Sequence, residues 1–278
     1  MKKLTFLLSL LLALSVGATS TGSPTGSPVV SPTSNLTSLP WAGVVASVFI
    51  PFGGAHLDGS NDYITRGAGL DGIADGDELT FAILYRINVS DITSAMRFES
   101  STGNATLIDF NADETVSVWI ENSAGTTIIK AETTTTTVLE AYATVLFSVK
   151  LSATATMHLY LDDVDRLSTT TLIQGETMDF TVAEWTVGAK TNGNNKVTMD
   201  INAFGMWRNY HDFSNESERR KFFNASGNWA IDNSNTSDGI IDGVTPDMWF
   251  AGEFGQWHTN KGSGGGFTVT GALSEPAT

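Results

Sequence analysis

The sequence predicts an all-β fold in which antiparallel strands stack as a sandwich. Three observations carry this expectation. Apolar and polar residues alternate with period two in one run after another, as they do in strands that bury one face. Clusters of Gly, Asn, Asp and Thr separate these runs at hairpin spacing. Charged residues make up only 16% of the chain while Gly reaches 27 residues, a composition that suits short strands and turns better than long helices.

The elements follow in order. Lys2 and Lys3 precede a mostly apolar run from Leu4 to Val16, and Val16 and Ala18 occupy the small-residue positions that a signal peptidase prefers. Residues 1–18 are therefore expected to be a secretory signal peptide; the alternative is an uncleaved anchor, for which the run is short. Residues 19–40 contain the repeat Thr21-Gly-Ser-Pro-Thr-Gly-Ser-Pro28, with Pro32 and Pro40 beyond it. That composition buries too little apolar surface to offset its ordering entropy, and predicts an extended linker. No second stretch of this kind follows, so residues 41–278 read as a single domain, with a C-terminal extension from about residue 226.

Within the domain, Leu79, Phe81, Ile83, Tyr85 and Ile87 share one face of a strand, opposite Thr80, Ala82, Leu84 and Arg86. Val116, Val118 and Ile120 oppose Thr115, Ser117, Trp119 and Glu121. The pattern recurs in Val145–Val149, Met157–Leu161 and from Trp185. Val197–Trp207 becomes apolar on both faces, as a central strand does. One helix is expected: Asn215 and Glu218 form a capping box, Arg219, Arg220 and Lys221 suit its C-terminal end, Phe222 and Phe223 pin it down, and Gly227 closes it. Two further strands are expected at Met248–Phe250 and Gly266–Thr270, separated by a glycine run (Gly262–Gly266) that reads as a flexible turn.

Net charge is −15 and there is no cysteine. The acidic balance disfavours nucleic acid and anionic lipid as partners, and no membrane insertion is expected once the leader is cleaved. Without cysteine there is no disulfide, no thiolate zinc site and no thiol catalysis.

Four landmarks together resemble a laminin-G-like module of the concanavalin A-like lectin and glucanase superfamily. They are Leu57-Asp-Gly-Ser-Asn-Asp-Tyr-Ile64, the Leu79–Ile87 strand, His158-Leu-Tyr-Leu-Asp-Asp163, and Met199-Asp-Ile-Asn-Ala-Phe-Gly-Met-Trp207 followed by a helix. The resemblance spans roughly residues 44–225 and implies a jelly-roll sandwich. The tail from Trp257 through Asn260-Lys-Gly-Ser-Gly-Gly-Gly-Phe to Leu273 is similar to endings found in bacteriophage and marine bacterial surface proteins, which implies a virion or cell-surface setting. One departure stands out. The family's hairpin places Gly after Asp, where a type I′ turn needs positive φ; here Asp163 holds that position, so a different or longer turn is expected.

Glucanases of the superfamily resembled here carry Glu-x-Asp-x-Glu or a close variant, which sets two carboxylates on one strand face at bond-cleaving distance. This sequence has no such triplet. The runs Asp113-Glu114 and Asp162-Asp163-Val164-Asp165 fall at turns. The four histidines show no metal-ligand spacing, and no Gly-x-Ser-x-Gly elbow accompanies them. A non-catalytic protein is expected, with an atypical glycosidase or lyase as the remote alternative.

For ligand binding, Trp119, Tyr160, His158 and Arg86 all lie opposite the aliphatic positions of their strands, where aromatic rings could receive a sugar. The plainer alternative is that loops cover these side chains. For metal, the resemblance implies a structural Ca²⁺ at Asp200 with Asp58 or Asp62 as partner. The Asp71, Asp75, Asp77 and Asp232, Asp238, Asp242 groups are dense enough to ligate one too, although Asp in turns usually serves backbone geometry. The sequence therefore points to a secreted module that recognises a glycan or surface polymer. Its rival is a protein subunit of an extracellular or virion assembly.

Overall fold

A computed structural model describes residues 53–88, 106–111, 113–138, 140–189, 196–224, 229–231 and 238–276. The expected leader and linker, Gly227 and Asp232 lie outside these residues. The first strands are β1 (Ala55–Asp58), β2 (Tyr63–Arg66) and β3 (Glu78–Ile87); β4 (Thr106–Phe110), β5 (Val116–Glu121) and β6 (Thr127–Thr133) follow. Next come β7 (Tyr142–Lys150), β8 (Thr156–Leu161), β9 (Val164–Asp165), β10 (Leu167–Leu172), β11 (Trp185–Val187) and β12 (Thr198–Trp207). Helix α1 (Glu216–Arg219), β13 (Met248–Phe250), α2 (Phe254–Trp257) and β14 (Thr268–Thr270) complete the set.

All pairings are antiparallel. The main sheet has seven strands in the order β1-β12-β3-β7-β8-β9, with β13 sharing the β12 edge with β1. A four-stranded sheet, β10-β6-β5-β4, and a three-stranded sheet, β11-β2-β14, make the facing layer. The period-two residues meet between the layers. Leu79, Phe81, Ile83 and Tyr85 from β3, Val145 and Phe147 from β7, and Val116, Val118 and Ile120 from β5 belong to one buried cluster. The fold is an antiparallel β-sandwich.

Strand β12 switches faces midway. Its register against β3 shifts between Ile201 and Ala203, so Asn202 is an extra residue, the signature of a bulge. Met199 and Ile201 face the core before it, and Phe204 and Met206 after it. Asn202 is fully buried yet satisfied: its side-chain N–H donates to the Gly53 carbonyl at 2.9 Å, and its carbonyl accepts from the Trp257 indole at 3.0 Å. The bulge is thus held by a residue from the far end of the chain.

The outer face of the main sheet carries a second core. Ala82, Leu84, Leu146, Tyr160, Ala203, Trp207 and Trp249 pack against Phe213, Phe222, Phe223, Trp229, Ile231 and Ile241. Phe222 and Phe223 fix α1 to the sheet as expected. The cap differs from the expected box. The Asn215 side chain accepts from the Ser217 N–H at 3.0 Å, but the Glu218 carboxylate turns to the His211 Nδ1 at 2.9 Å and to Lys221 at 2.8 Å. A second short helix, α2, was not expected; it carries Trp257 into the main core.

Two turns correct the sequence reading. Leu161 pairs with Val164, so the β8–β9 hairpin keeps a two-residue loop, and both Asp162 and Asp163 adopt positive φ (49° and 62°). The turn is neither longer nor different in kind; aspartate tolerates the left-handed region better than most residues do. The glycine run is not a flexible turn either. Ser263 and Gly264 donate to the Pro246 and Asp247 carbonyls at 2.8 Å, and a Cβ on Gly264 would lie 2.5 Å from the Asp247 oxygen. These glycines allow backbone to lie directly against backbone.

Candidate functional site

The four expected ligand-binding residues do not converge. Trp119 lies on β5 of the four-stranded sheet, whereas Arg86, His158 and Tyr160 lie on β3 and β8 of the main sheet. Each points away from the central core, as period two requires, but outward means opposite directions on two different layers. Tyr160 is buried beneath the second core, with the Arg219 guanidinium 4.7 Å from its ring centroid and Phe213 edge-on at 6.4 Å. The His158 Nε2 sits 2.9 Å from the Tyr210 hydroxyl and 3.3 Å from Asp212. Burial holds its imidazole below the ordinary histidine value. On the main sheet, covering segments claim both side chains.

Arg86 belongs to a row that crosses four strands in register: His56, Asp200, Arg86 and Tyr142. Asp200 is fully buried, with one carboxylate oxygen 2.7 Å from the His56 Nδ1 and the other accepting from Arg86 Nε at 2.7 Å and Nη2 at 2.6 Å. The Arg86 guanidinium also lies 5.0 Å from the Tyr142 ring centroid. Both Asp200 oxygens therefore face cationic or N–H groups. The expected partners of a metal there are engaged elsewhere: Asp58 accepts from the Ser60 and Asn61 N–H groups at 2.7 and 3.2 Å, and Asp62 from Asp58 and Ala272 at 3.3 and 2.8 Å.

The other acidic groups also serve local structure. Asp71 pairs with Arg66 at 2.6 Å, and Asp75 accepts from the Phe180 and Thr181 N–H groups at 3.0 and 3.1 Å. Among the described residues, His211, Glu218 and Asp242 come close enough for a metal ion, but the Lys221 ammonium already bonds both carboxylates. Asp113 bonds the Thr115 hydroxyl at 2.7 Å, Asp162 accepts from the Thr144 N–H at 2.8 Å, and Asp165 from Leu167 at 3.1 Å. Asp163 holds the Arg219 Nε at 2.5 Å and the Arg220 Nη2 at 2.7 Å.

The remaining face is the outer surface of the four-stranded sheet. Trp119 is 37% exposed at its middle, while Trp185, Trp207, Trp229, Trp249 and Trp257 are buried. The indole is held in place: its N–H donates to the Thr127 hydroxyl at 3.0 Å, and the Lys130 ammonium lies 5.3 Å from the ring centroid. Lys130 stands directly opposite Trp119 across the β5–β6 pair, and Ser117 stands opposite Glu132, with Asp109 and Ser168 on their flanks. Sequence reading missed Lys130, Glu132 and Thr127 because β6, with one Lys and three Thr or Glu positions, carries a short and weak alternation. The Asn122–Gly125 turn was the available signal, since a hairpin there puts Lys130 beside Trp119.

No protein-family model and no curated protein matches the sequence. The fold is similar to solved structures. A provisionally assigned carbohydrate-binding protein from Bacteroides ovatus aligns over 82% of this chain and 60% of its own length, with a TM-score of 0.56 and 9% identity. A heptameric SAP-like pentraxin from Limulus polyphemus aligns over 73% of this chain and 95% of its own, at 0.47 and 11%. Domains LG4-5 of the mouse laminin α1 chain align over 60% and 45%, at 0.42 and 12%. The chain thus spans three fifths of the Bacteroides ovatus protein, with which it shares a β-sandwich fold.

Proposed function

We propose that this protein is a non-catalytic glycan-binding module of the laminin-G-like, concanavalin A-like kind, exported from the cell, with the outer face of the four-stranded sheet as its binding surface. The observation that carries the reading is the exposed, pre-oriented indole of Trp119 on a sheet face whose neighbouring positions are polar. A sugar ring has an apolar face and a rim of hydroxyls; an aromatic plane takes the first, and neighbouring hydroxyl, carboxylate and ammonium groups take the second. Ser117, Ser168, Glu132 and Lys130 supply such groups within one or two strands of the ring. The assigned role of the Bacteroides ovatus neighbour supports the reading as a fold-level analogy. A non-catalytic role fits the engagement of Asp113, Asp162, Asp163 and Asp165 in turns and ion pairs.

The test is a fluorescence titration with a panel of oligosaccharides. Trp119 is the exposed tryptophan among the described residues, so ligand stacking should shift its emission, and Trp119→Ala should abolish binding while leaving the circular dichroism spectrum intact. A panel without response, or an Ala variant that binds as the wild type does, overturns the proposal.

A further inference from the structure

Strand β10 is an open edge of the four-stranded sheet. Its strand partner is β6, and among the described residues no backbone group bonds its other side. The bonds at its two ends show which groups face outward. The Arg166 carbonyl accepts from the Thr134 N–H, and the Ile173 N–H donates to the Ile128 carbonyl. Antiparallel bonding alternates residue by residue, so the main-chain groups of Leu167 and Leu172 point away from β6. The Leu167 N–H turns to the Asp165 carboxylate at 3.1 Å. The other edges differ. β1 bonds Ser274, β13 bonds Asn260 and Lys261, β4 carries Asp109, and β9, β11 and β14 have only two or three residues. By contrast β10, Leu167-Ser-Thr-Thr-Thr-Leu172, has no charged residue on a chain of net charge −15. Two copies of so acidic a chain approach best where neither presents a charge.

The strand is also close to a palindrome. A two-fold axis normal to the sheet, passing between Thr169 and Thr170, sets Leu167 opposite Leu172 of a second copy and Ser168 opposite Thr171. In a regular strand, residues an odd number apart face opposite sides of the sheet, and both matches would fail. The bulge removes this conflict. The register against β6 shifts between Thr169 and Thr171. Leu167 and Leu172 therefore both pack toward the core, while Ser168 and Thr171 stand beside Glu132 and Lys130 on the outer face. We infer that β10 is the seam of a two-fold dimer, in which it pairs with β10 of a second copy of this chain and joins the two sheets into one of eight strands. The contact is isologous, so each copy bonds the outward groups of the other. Val164 and Ile173, both exposed, lie just outside the two ends of β10 in the chain, where the second copy would adjoin them. Both Trp119 rings then lie on one face of the joined sheet, five strand spacings or about 24 Å apart. On the glycan-binding reading this makes the dimer bivalent; the dimer itself does not depend on that reading.

The test is sedimentation velocity of the full-length mature protein across the micromolar range, where a small seam of this kind should associate. The mass should rise with concentration toward twice that of the monomer. Ser168→Glu with Thr171→Glu sets like charges opposite each other across the axis and should weaken the dimer by about 10-fold or more. Ser168→Lys with Thr171→Glu sets opposite charges at the same places and should restore it to within about 3-fold of wild type. Both positions lie on the outer face, so both double variants should keep the wild-type melting curve. A protein that stays monomeric overturns the inference. So does a dimer that the Glu/Glu variant leaves intact, or one that the Lys/Glu variant fails to restore. Loss of the dimer leaves the glycan-binding reading standing, and a silent oligosaccharide panel leaves the dimer standing.

Discussion

Asp163 brings together two opposing effects in one side chain. Its backbone sits at φ 62°, in the left-handed region, at a cost of about 1 kcal/mol relative to glycine. Its carboxylate binds Arg219 and Arg220 and so ties the hairpin to the end of α1. Burial raises this carboxyl, and the two guanidiniums outweigh the burial and hold it below the usual carboxylate range. The ion pairs are partly solvated and are together worth about 1 to 2 kcal/mol after that discount. Asp163→Asn keeps the strain and loses the charge, so it should destabilise by about 1 to 2 kcal/mol. Asp163→Gly loses the same pairs but relieves the backbone, so its loss should stay below about 1 kcal/mol. Urea midpoints should therefore rank wild type, Gly, Asn in falling order; a Gly variant more stable than wild type would mean that the ion pairs are worth less than the backbone strain they accompany. The sequence disclosed the missing glycine but not its consequence, because Arg219 and Arg220 lie 56 and 57 residues away and only the tertiary fold brings them to the turn. The same holds for Asp200. Its strand position was legible from period two, but its partners Arg86 and His56 come from strands 114 and 144 residues away in the chain.

At the scale of elements, the segment from Asn209 to Phe223 covers the main sheet through a mixture of apolar burial and titratable contacts. Thr80 and Ser148 on the sheet donate to the Asn209 and His211 carbonyls at 2.7 Å, and Phe213, Phe222 and Phe223 fill the second core. His158 faces the segment from β8, with Asp212, Tyr210 and Arg219 on the cover and Asp165 and Tyr160 on its own side. The sign of the pH dependence follows from the shifts. His158 lies below its ordinary 6.5 because burial disfavours its charged form, so the unfolded chain binds more protons, and stability falls as pH drops below about 6.5. Asp212 lies below its ordinary value of 3.8, chiefly through the Ser214 hydroxyl, and Glu218 lies below 4.5 through His211 and Lys221. Depressed carboxylates contribute stability above these values and lose it as pH falls through their folded values. Both effects therefore act on the acid side, the histidine first. Amides of residues 209–223 should lose exchange protection between pH 7.5 and 5, after correction for intrinsic rates, while β3 and β7 keep theirs. His158→Gln should remove the step near pH 6.5; an unchanged step would assign it to another group. Sequence reading found α1 and the two phenylalanines that hold it. It missed that Glu218 serves His211 and not the cap, since both readings use the same local spacing and only the packing of His211 against Phe213 and Phe222 decides between them.

At the scale of the whole molecule, the sandwich was legible because period-two burial is a local property, and the long strands β3, β7 and β12 carry enough of it to be unmistakable. Its closure was less so. The resemblance to laminin-G-like modules stopped at about residue 225 and left the rest as an extension. Yet β13 completes the main sheet beside β1, β14 pairs with β2 in the facing layer, and Trp257 enters the central core and bonds the bulge residue Asn202. These contacts span up to the full length of the domain, and strands of three residues such as β13 and β14 carry almost no periodic signal. The proposed binding face was half legible for the same reason: Trp119 was found from its own strand, and Lys130 needed the pairing of two. The closing segment should therefore be indispensable. A chain ending at residue 245 loses Met248, Trp249, Phe250 and Trp257, all fully buried. At about 2 to 3 kcal/mol for each buried large side chain, the loss is on the order of 10 kcal/mol, comparable to the about 5 to 15 kcal/mol that holds a whole domain together. It also leaves the Asn202 carbonyl without its indole donor and exposes half of the β12 edge. The truncated chain should show no cooperative melting and no near-ultraviolet dichroism from ordered tryptophans. A shortened chain that melts as sharply as the full one would show that the first 245 residues close a core by themselves.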